Sequence, residues 1–486
     1  MPKHILIIIL LNLFCIGQYC HAQQTKQFQS AFHHFTKTSG FQNSSIGFCL
    51  MNAENGKVLF SYNDSLSLVP ASCLKIVTTG AALGILGEDH FFETKIMHTG
   101  QLGKDGIMHG NVIIIGGGDP TLGDDKFETK IDFQTFINVI KDAGIKSIDG
   151  KVLVVNSYFE PFPINKTWAW DDIGNYFGAG VYGFNYAENI YQIKLQPGAI
   201  QGSNVDLIST LPDNLNLHFD NRLKTGPLYS GDQSNIFVAL NDSIRIIEGT
   251  IPVSKSPFTI KGSLPNPPAW FAKTLAELLY KDNLIKDKNQ WEVISKLDTS
   301  IPIFNLKIFK SQPVSEIVHY ANLNSINLYA ECLLKEIGKI KYHSGTWTDG
   351  IKAIKKYWTE KGIDTLGLFM DDGSGLSRYD GITAQQLTKI LASIKNEKYF
   401  DIFLNSLPVS GKSSSMKSMG KGTEMDGKIY SKTGHMDRAR AYSGYFKSKS
   451  GKWMCFTLMV NNYSLSSPEI HDKIEKLLEA MLSVDY

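Results

Sequence analysis

Beyond its opening residues the chain lacks any long apolar run. It also has no C-x-x-C pair, no H-E-x-x-H string and no large excess of either charge. A membrane span needs roughly 18 uninterrupted apolar residues, so no transmembrane segment is expected after the start. A net charge of +2 and a pI near 8.0 argue against a nucleic-acid partner and leave attraction to anionic polymers weak. Histidines such as His33, His34 and His319 show no paired-ligand spacing, so neither a metal nor a cofactor is expected. Gly116-Gly117-Gly118 lacks the G-K-[ST] that a phosphate loop requires, and reads as a structural turn.

Cysteine is scarce, with six in 486 residues. Cys15 and Cys20 fall in the opening stretch; Cys49, Cys73, Cys332 and Cys455 are widely spaced. Export would permit disulfides. However, Cys49 and Cys455 sit in strand-like apolar runs and Cys332 in a helical one, so buried free thiols are expected.

The opening MPKHILIIILLNLFCIGQYCHAQQ has the pattern of a cleaved secretory signal over residues 1–22: a short basic start, an apolar run, then small-residue spacing ending at Ala22. The cysteines follow Phe14 and Tyr19, which does not match a lipid-attachment site. The expectation is an exported chain that begins near Gln23, resides in the periplasm, and at most associates peripherally with wall or membrane. A chain of this length exceeds what one core supports, so two or three domains are expected.

From Ser45 the text alternates as strand, turn, strand, with Asn55-Gly56 as the hairpin signal. Next, LVPASCLKIVTTGAALGILG carries near-helical apolar spacing behind Pro70, which puts Ser72 and Lys75 on one helical face. Residues 93–305 alternate short strand-like runs with turn-rich text and read as one or two mainly β inserted domains, with a nested third domain at about 118–205. Helices return in VSEIVHYANLNSINLYAECLLKEIG and GTWTDGIKAIKKYWTEKG. Three antiparallel strands then follow from GKIYSKTG to KWMCFTLMVNN, and a last amphipathic helix begins at Ser467-Pro468. Residues 23–92 and 306–486 would thus pack as one α/β domain, an antiparallel sheet flanked by helices.

Three short strings carry the chemistry: Ser72-Cys73-Leu74-Lys75, Ser325-Ile326-Asn327 and Lys432-Thr433-Gly434. They are the S-x-x-K, S-x-N and K-T-G set of penicillin-binding proteins and serine β-lactamases. Each alone is weak; their order and settings together are not. A serine hydroxyl needs a base, and an amine serves only if burial or nearby positive charge lowers its pKa. Lys75, one turn from Ser72 and with Lys432 expected nearby, fits. Ser325 would relay a proton to the leaving amine. Asn327 would hold Lys75 and the substrate amide, and Lys432 with Thr433 and Gly434 would bind the substrate carboxylate. The backbone N–H groups of Ser72 and His435 would form the oxyanion hole.

With these residues in place the chain resembles the D-alanyl-D-alanine carboxypeptidase/endopeptidase family, the class C low-molecular-mass penicillin-binding proteins. The likeness extends to GGGDPTL, WAWDD, NSINLYAE, DGSGLSR and KTGHM, and to the long insertion between Lys75 and Ser325. It implies a penicillin-binding, β-lactamase-like fold and acylation of Ser72 by peptidoglycan stem peptides, with β-lactam antibiotics as covalent inhibitors. It also implies a side-chain subsite built from Arg378, Met436 and either Asp171 or Asp172. The family commonly has threonine where His435 stands, so a hydroxyl that would help hold the terminal carboxylate is missing, and either a bias toward endopeptidase cleavage or a pH dependence in the neutral-to-acid range through the imidazole is expected. A serine β-lactamase and a non-catalytic penicillin-sensing or wall-binding protein remain the alternatives.

Overall fold

A computed structural model describes residues 26–239, 242–298 and 300–485. The signal-like stretch 1–22 lies outside the described residues.

Strand Ser45–Asn52 is buried at every position after the first, as expected of a strand covered on both faces. Around a turn with Gly56 at φ +71° it pairs antiparallel with Val58–Tyr62. On its other side it pairs with Trp453–Asn461 along all eight of its residues. Ala439–Lys447 and Ile429–Met436 complete a five-stranded antiparallel sheet. The two ends of the chain therefore meet in the middle of one sheet.

The period-two alternation of side chains divides this sheet into two cores. Cys49, Met51, Cys455 and Met459 face one, packed under helices that include Lys75–Ile85, Asn327–Tyr342, Trp347–Glu360 and Ala384–Lys395. Phe48, Leu50, Phe456 and Leu458 face the other, against Phe28, Phe32 and the helix Ser467–Met481. That last helix buries Ile470, Ile474, Leu477, Leu478 and Met481, the stripe its sequence spacing predicts. The four described cysteines are free and buried.

The helical run that begins at Val314 is two helices. Val314–Leu323 stops, Ser325 takes a left-handed φ of 59°, and Asn327–Tyr342 starts. An L-residue at positive φ cannot continue an α-helix, so the break coincides with the S-x-N string.

Between the serine helix and that break lie a small three-stranded sheet of Gln101–Leu102, Ile107–His109 and Ser147–Ile148 and two larger sheet systems. The first is a five-stranded sheet ordered Trp291–Ile294, Val152–Val155, Val112–Ile115, Glu93–Thr99, Ile303–Lys310. Helices Phe133–Asp142 and Pro267–Lys281 pack on one of its faces. The second comprises two small sheets of strands from Ile190 to Ser263 around a shared core that includes Tyr191, Ile193, Ile247 and Ile260. The nested β portion therefore lies later than the expected 118–205. Val152–Val155 pairs in parallel with Val112–Ile115, and a border near 118 would cut that sheet in two. The link between the systems, residues 156–189, is tied to the loop that follows helix Trp347–Glu360: Asn165 Nδ2 donates to Asp371 O at 2.6 Å and Trp168 Nε1 to Asp372 Oδ2 at 2.8 Å. Among the described residues no helix is long and apolar enough to cross a membrane.

Candidate active site

The serine turn begins where Pro70 leaves the edge pairing of Ser67–Leu68. Ala71–Leu74 form a 3₁₀ turn that passes directly into the helix Lys75–Ile85. Ser72 is half-buried and Lys75 wholly buried. Lys75 Nζ lies 3.0 Å from Ser72 Oγ, 2.6 Å from Asn327 Oδ1 and 2.8 Å from the Ser374 carbonyl. Burial, and secondarily the charge of Lys432, hold the Lys75 amine well below the ordinary lysine range. A neutral amine has two N–H groups and one lone pair. Asn327 Oδ1 and the Ser374 carbonyl can accept only, so they take both hydrogens and leave the lone pair for the Ser72 hydroxyl.

The strand Ile429–Met436 runs past the serine turn at very close range. A Cβ on Gly434 would sit 2.4 Å from Pro70 O, so only glycine allows this approach. Cys73 Sγ meets Lys432 O at 3.2 Å, and burial pushes the thiol up to about 12, a closed contact that keeps turn and strand together. Lys432 is wholly buried, and burial lowers its amine to about 8. Its Nζ donates to Ser325 Oγ at 3.0 Å and to Thr433 O at 2.9 Å. The left-handed turn at Ser325 sets its hydroxyl there, while Asn327 opens the next helix and donates through Nδ2 to Phe177 O at 2.8 Å.

Ser72, Lys75, Ser325, Asn327 and Lys432 thus converge from three distant parts of the chain. Thr433 is half-buried and its hydroxyl lies 2.7 Å from Ser415 Oγ. His435 pairs with Arg440 across the strands. Its side chain is exposed, and partial desolvation, together with Arg440, lowers its imidazole to about 4, below the neutral range expected from the sequence. Arg378 reaches Asp171 at 3.5 Å with both side chains about half exposed. The neighbouring Asp172 is raised to about 6 by burial and by Asp171, and its Oδ2 is buried without a partner. Met436, half-buried, lies two residues beyond Gly434 and pairs with Ala439.

Motif reading missed the floor under Lys75. Ser374, Glu331 and Asp372 are wholly buried there and Asp380 almost so. The only signals were the acidic residues inside DGSGLSR and NSINLYAE, which motif spacing does not assign to a site.

A serine at a helix start, a buried lysine one turn on, and a lysine-bearing strand of an antiparallel sheet alongside are the arrangement that penicillin-recognising serine enzymes share. The comparisons agree. The model of the D-Ala-D-Ala carboxypeptidase 3 (S13) family matches residues 30–481. A D-alanyl-D-alanine carboxypeptidase from an Actinomadura species is 26% identical over 442 residues, covering 87% of this chain and 78% of that one. The D-alanyl-D-alanine carboxypeptidase DacB of Haemophilus influenzae is 22% identical over 451 residues, covering 90% of each. The crystal structure of penicillin binding protein 4 (dacB) from Haemophilus influenzae superposes with a TM-score of 0.78 at 21% identity, covering 93% of this chain and 99% of that one. The chain belongs to the D-Ala-D-Ala carboxypeptidase 3 (S13) family. It is a serine-type D-Ala-D-Ala carboxypeptidase.

Proposed function

We propose that the enzyme acts on peptidoglycan stem peptides through an acyl-enzyme on Ser72. The observation that carries this reading is the placing of Lys75 Nζ, 3.0 Å from Ser72 Oγ and held by the acceptors Asn327 Oδ1 and Ser374 O, so that in the neutral amine the lone pair is left for the Ser72 hydroxyl. Lys75 takes the hydroxyl proton as Ser72 Oγ bonds to the carbonyl carbon of the penultimate D-alanine. The oxyanion is held by the backbone N–H groups of Ser72 and His435. Collapse breaks the C–N bond, and the proton that Lys75 accepted passes through Ser325 Oγ, which Lys432 holds at 3.0 Å, to the leaving amine, so that Lys75 is neutral again. Water then attacks the ester, with Lys75 again as base, and releases the shortened peptide and Ser72. Lys432 and Thr433 neutralise the carboxylate of a terminal D-alanine.

The same chemistry cleaves a cross-link when the leaving amine belongs to another stem, so carboxypeptidase and endopeptidase action share this site. Arg378, with an acidic partner in Asp171 or Asp172, suits a stem side chain that ends in both a carboxylate and an amine, and Met436 supplies apolar surface beside it. A β-lactam presents a strained amide to Ser72 with its carboxylate toward Lys432, and the Haemophilus influenzae relative has been crystallised with a novel β-lactam. Such a substrate lies outside the cytoplasm, which fits the signal pattern at residues 1–22 and a periplasmic site of action.

Digestion of isolated sacculi tests the reading. Wild type should release D-alanine, cross-linked monomers or both, and should hold a labelled penicillin for many minutes. Ser72→Ala should do none of these while unfolding at the same temperature. Rapid turnover of the penicillin would instead indicate a β-lactamase, and D-alanine release by Ser72→Ala would rule out the nucleophile.

A further inference from the structure

Beneath Lys75 lies a group of buried carboxylates that takes no part in the acyl transfer itself. Glu331, on the helix that Asn327 opens, is wholly buried. Its oxygens accept from the Gly373 N–H at 3.0 Å each, from the Ser374 N–H at 2.8 Å and from Trp347 Nε1 at 2.7 Å. Asp372 accepts from the N–H groups of Ser374, Gly375 and Ser377 at 3.1, 2.7 and 2.7 Å, and from Trp168 Nε1 at 2.8 Å. From the other side, Thr78 Oγ1 donates to Gly373 O at 2.7 Å.

The peptide between Ser374 and Gly375 is the decisive one. In a trans peptide the C=O and N–H point in opposite directions. Asp372 draws the Gly375 N–H down, which drives the Ser374 carbonyl up toward Lys75 Nζ, 2.8 Å away. Glu331 fixes the two preceding peptides through their N–H groups. N–H donors reach both oxygens of Glu331, and the Ser374 hydroxyl adds to their pull, so the site calls for an acceptor at each oxygen.

We propose that Glu331, with Asp372, is a positioning residue for Lys75: it clamps the Gly373–Ser374 backbone so that the Ser374 carbonyl holds one N–H of the amine and its lone pair faces Ser72. The inference rests on the acyl-enzyme reading of Ser72. Without the clamp the carbonyl swings, the amine can rotate, and the base is no longer aligned with the hydroxyl.

The charges around Glu331 come from several elements. On its own helix are Lys335, 3.1 Å from Glu160 and 3.3 Å above the Trp347 ring, and the neutral thiol of Cys332. On the loop are Asp372 and Asp380, the latter pushed well above the carboxylate range by burial and Asp372. On the serine helix is Lys75, with Lys432 behind it. Burial and Asp372 raise Glu331 to about 7 against the pull of its donors. Below that pH a carboxyl O–H would face N–H donors and the clamp would open, so acylation should weaken as pH falls through about 7.

The test is the rate of acylation by a labelled penicillin across pH 5–9, together with non-covalent affinity and thermal unfolding. Glu331→Gln keeps the shape but turns an N–H₂ toward N–H donors. Its plateau rate should fall about 10- to 100-fold with the non-covalent affinity kept. Its acid limb should move to lower pH, because the titrating carboxyl is gone and Lys75 has lost a nearby anion. Glu331→Asp, which restores acceptors, should recover part of the plateau. Trp347→Phe removes one donor from the carboxylate and should move the acid limb to higher pH.

A purely structural role would reduce the folded fraction and leave the shape of the profile unchanged. The proposal is overturned if Glu331→Gln acylates within about threefold of wild type with a superimposable profile. Should Glu331→Gln not fold, Trp347→Phe decides, and an unmoved acid limb overturns it. If wild type is not labelled at any pH, the Ser72 reading fails and the positioning role falls with it.

Discussion

At the scale of single residues the site depends on close approach as much as on functional groups. Gly434 carries no chemistry of its own, but a Cβ there would meet Pro70 O at 2.4 Å and Ala71 Cβ at 3.1 Å. The first contact is with backbone, which cannot rotate away. Gly434→Ala should push the Lys432 strand away from the serine turn. Because Lys432 must stay 3.0 Å from Ser325 Oγ, penicillin acylation should fall by about 10-fold or more, with about 1–3 kcal/mol lost from stability. Stopped-flow acylation and urea unfolding read the two effects separately. Wild-type acylation by this variant would mean that the strand's distance from the turn is unimportant.

The residue scale also shows what sequence reading could reach. Ser72, Lys75, Ser325, Asn327 and Lys432 were legible because each has a chemical reason to be its own residue type, at a spacing that helix and strand geometry fixes. Glu331 and Asp372 were not, since their partners are mostly backbone N–H groups that any sequence supplies. The downward shift of His435 was also hidden: partial desolvation and Arg440, a strand partner that appears only once the sheet is paired, lower it.

At the scale of elements, the helices Asn327–Tyr342 and Trp347–Glu360 form the scaffold for Asn327, Glu331 and the Trp347 indole. They approach closely because two glycines face the contact. A Cβ on Gly350 would lie 2.3 Å from Leu334 O, and one on Gly338 would lie 2.7 Å from Gly350 N. Gly350→Ala should force the helices apart and cost about 1–3 kcal/mol, despite alanine's better helix propensity. It should also slow acylation, because the Trp347 bond to Glu331 spans the two helices. A melting temperature equal to or above wild type would show that the pair can part at no cost. Amphipathic spacing predicted both helices, and the S-x-N string reads as lying ahead of the first of them, as it does. The left-handed φ of Ser325 that separates this helix from Val314–Leu323 has no signal in local composition. The nested β portion was misplaced for a similar reason: Val152–Val155 and Val112–Ile115 join by pairing across a helix, a non-local fact that local composition does not encode.

At the scale of the molecule, the catalytic centre should leave a signature in stability against pH. Lys432 is lowered to about 8 by burial, and Lys75 is held well below the ordinary range by burial and by Lys432. In the unfolded chain both return to an ordinary value near ~10.4. Between the folded and unfolded values the unfolded state binds more protons, so stability rises with pH there. Each lysine contributes at most about 1.4 kcal/mol per pH unit. Two opposing sets bound the window. Glu331, raised to about 7, makes stability fall as pH rises toward that value. Cys49 and Cys73, raised to about 12, and Cys332 and Cys455, raised well above the ordinary thiol range, all by burial, make it fall once the unfolded thiols ionise near about 8.5. Between about pH 7 and 8, before the unfolded thiols ionise, the lysines dominate, and the urea midpoint of the reduced protein should climb by an amount worth about 1 kcal/mol. Lys432→Met should raise the midpoint at pH 8, where an amine no longer has to be buried, and should lessen the climb while abolishing acylation. A wild-type midpoint that is flat or falling across this range would mean that the two amines are not desolvated as their burial requires, and the neutral-amine route to Ser72 would lose its basis.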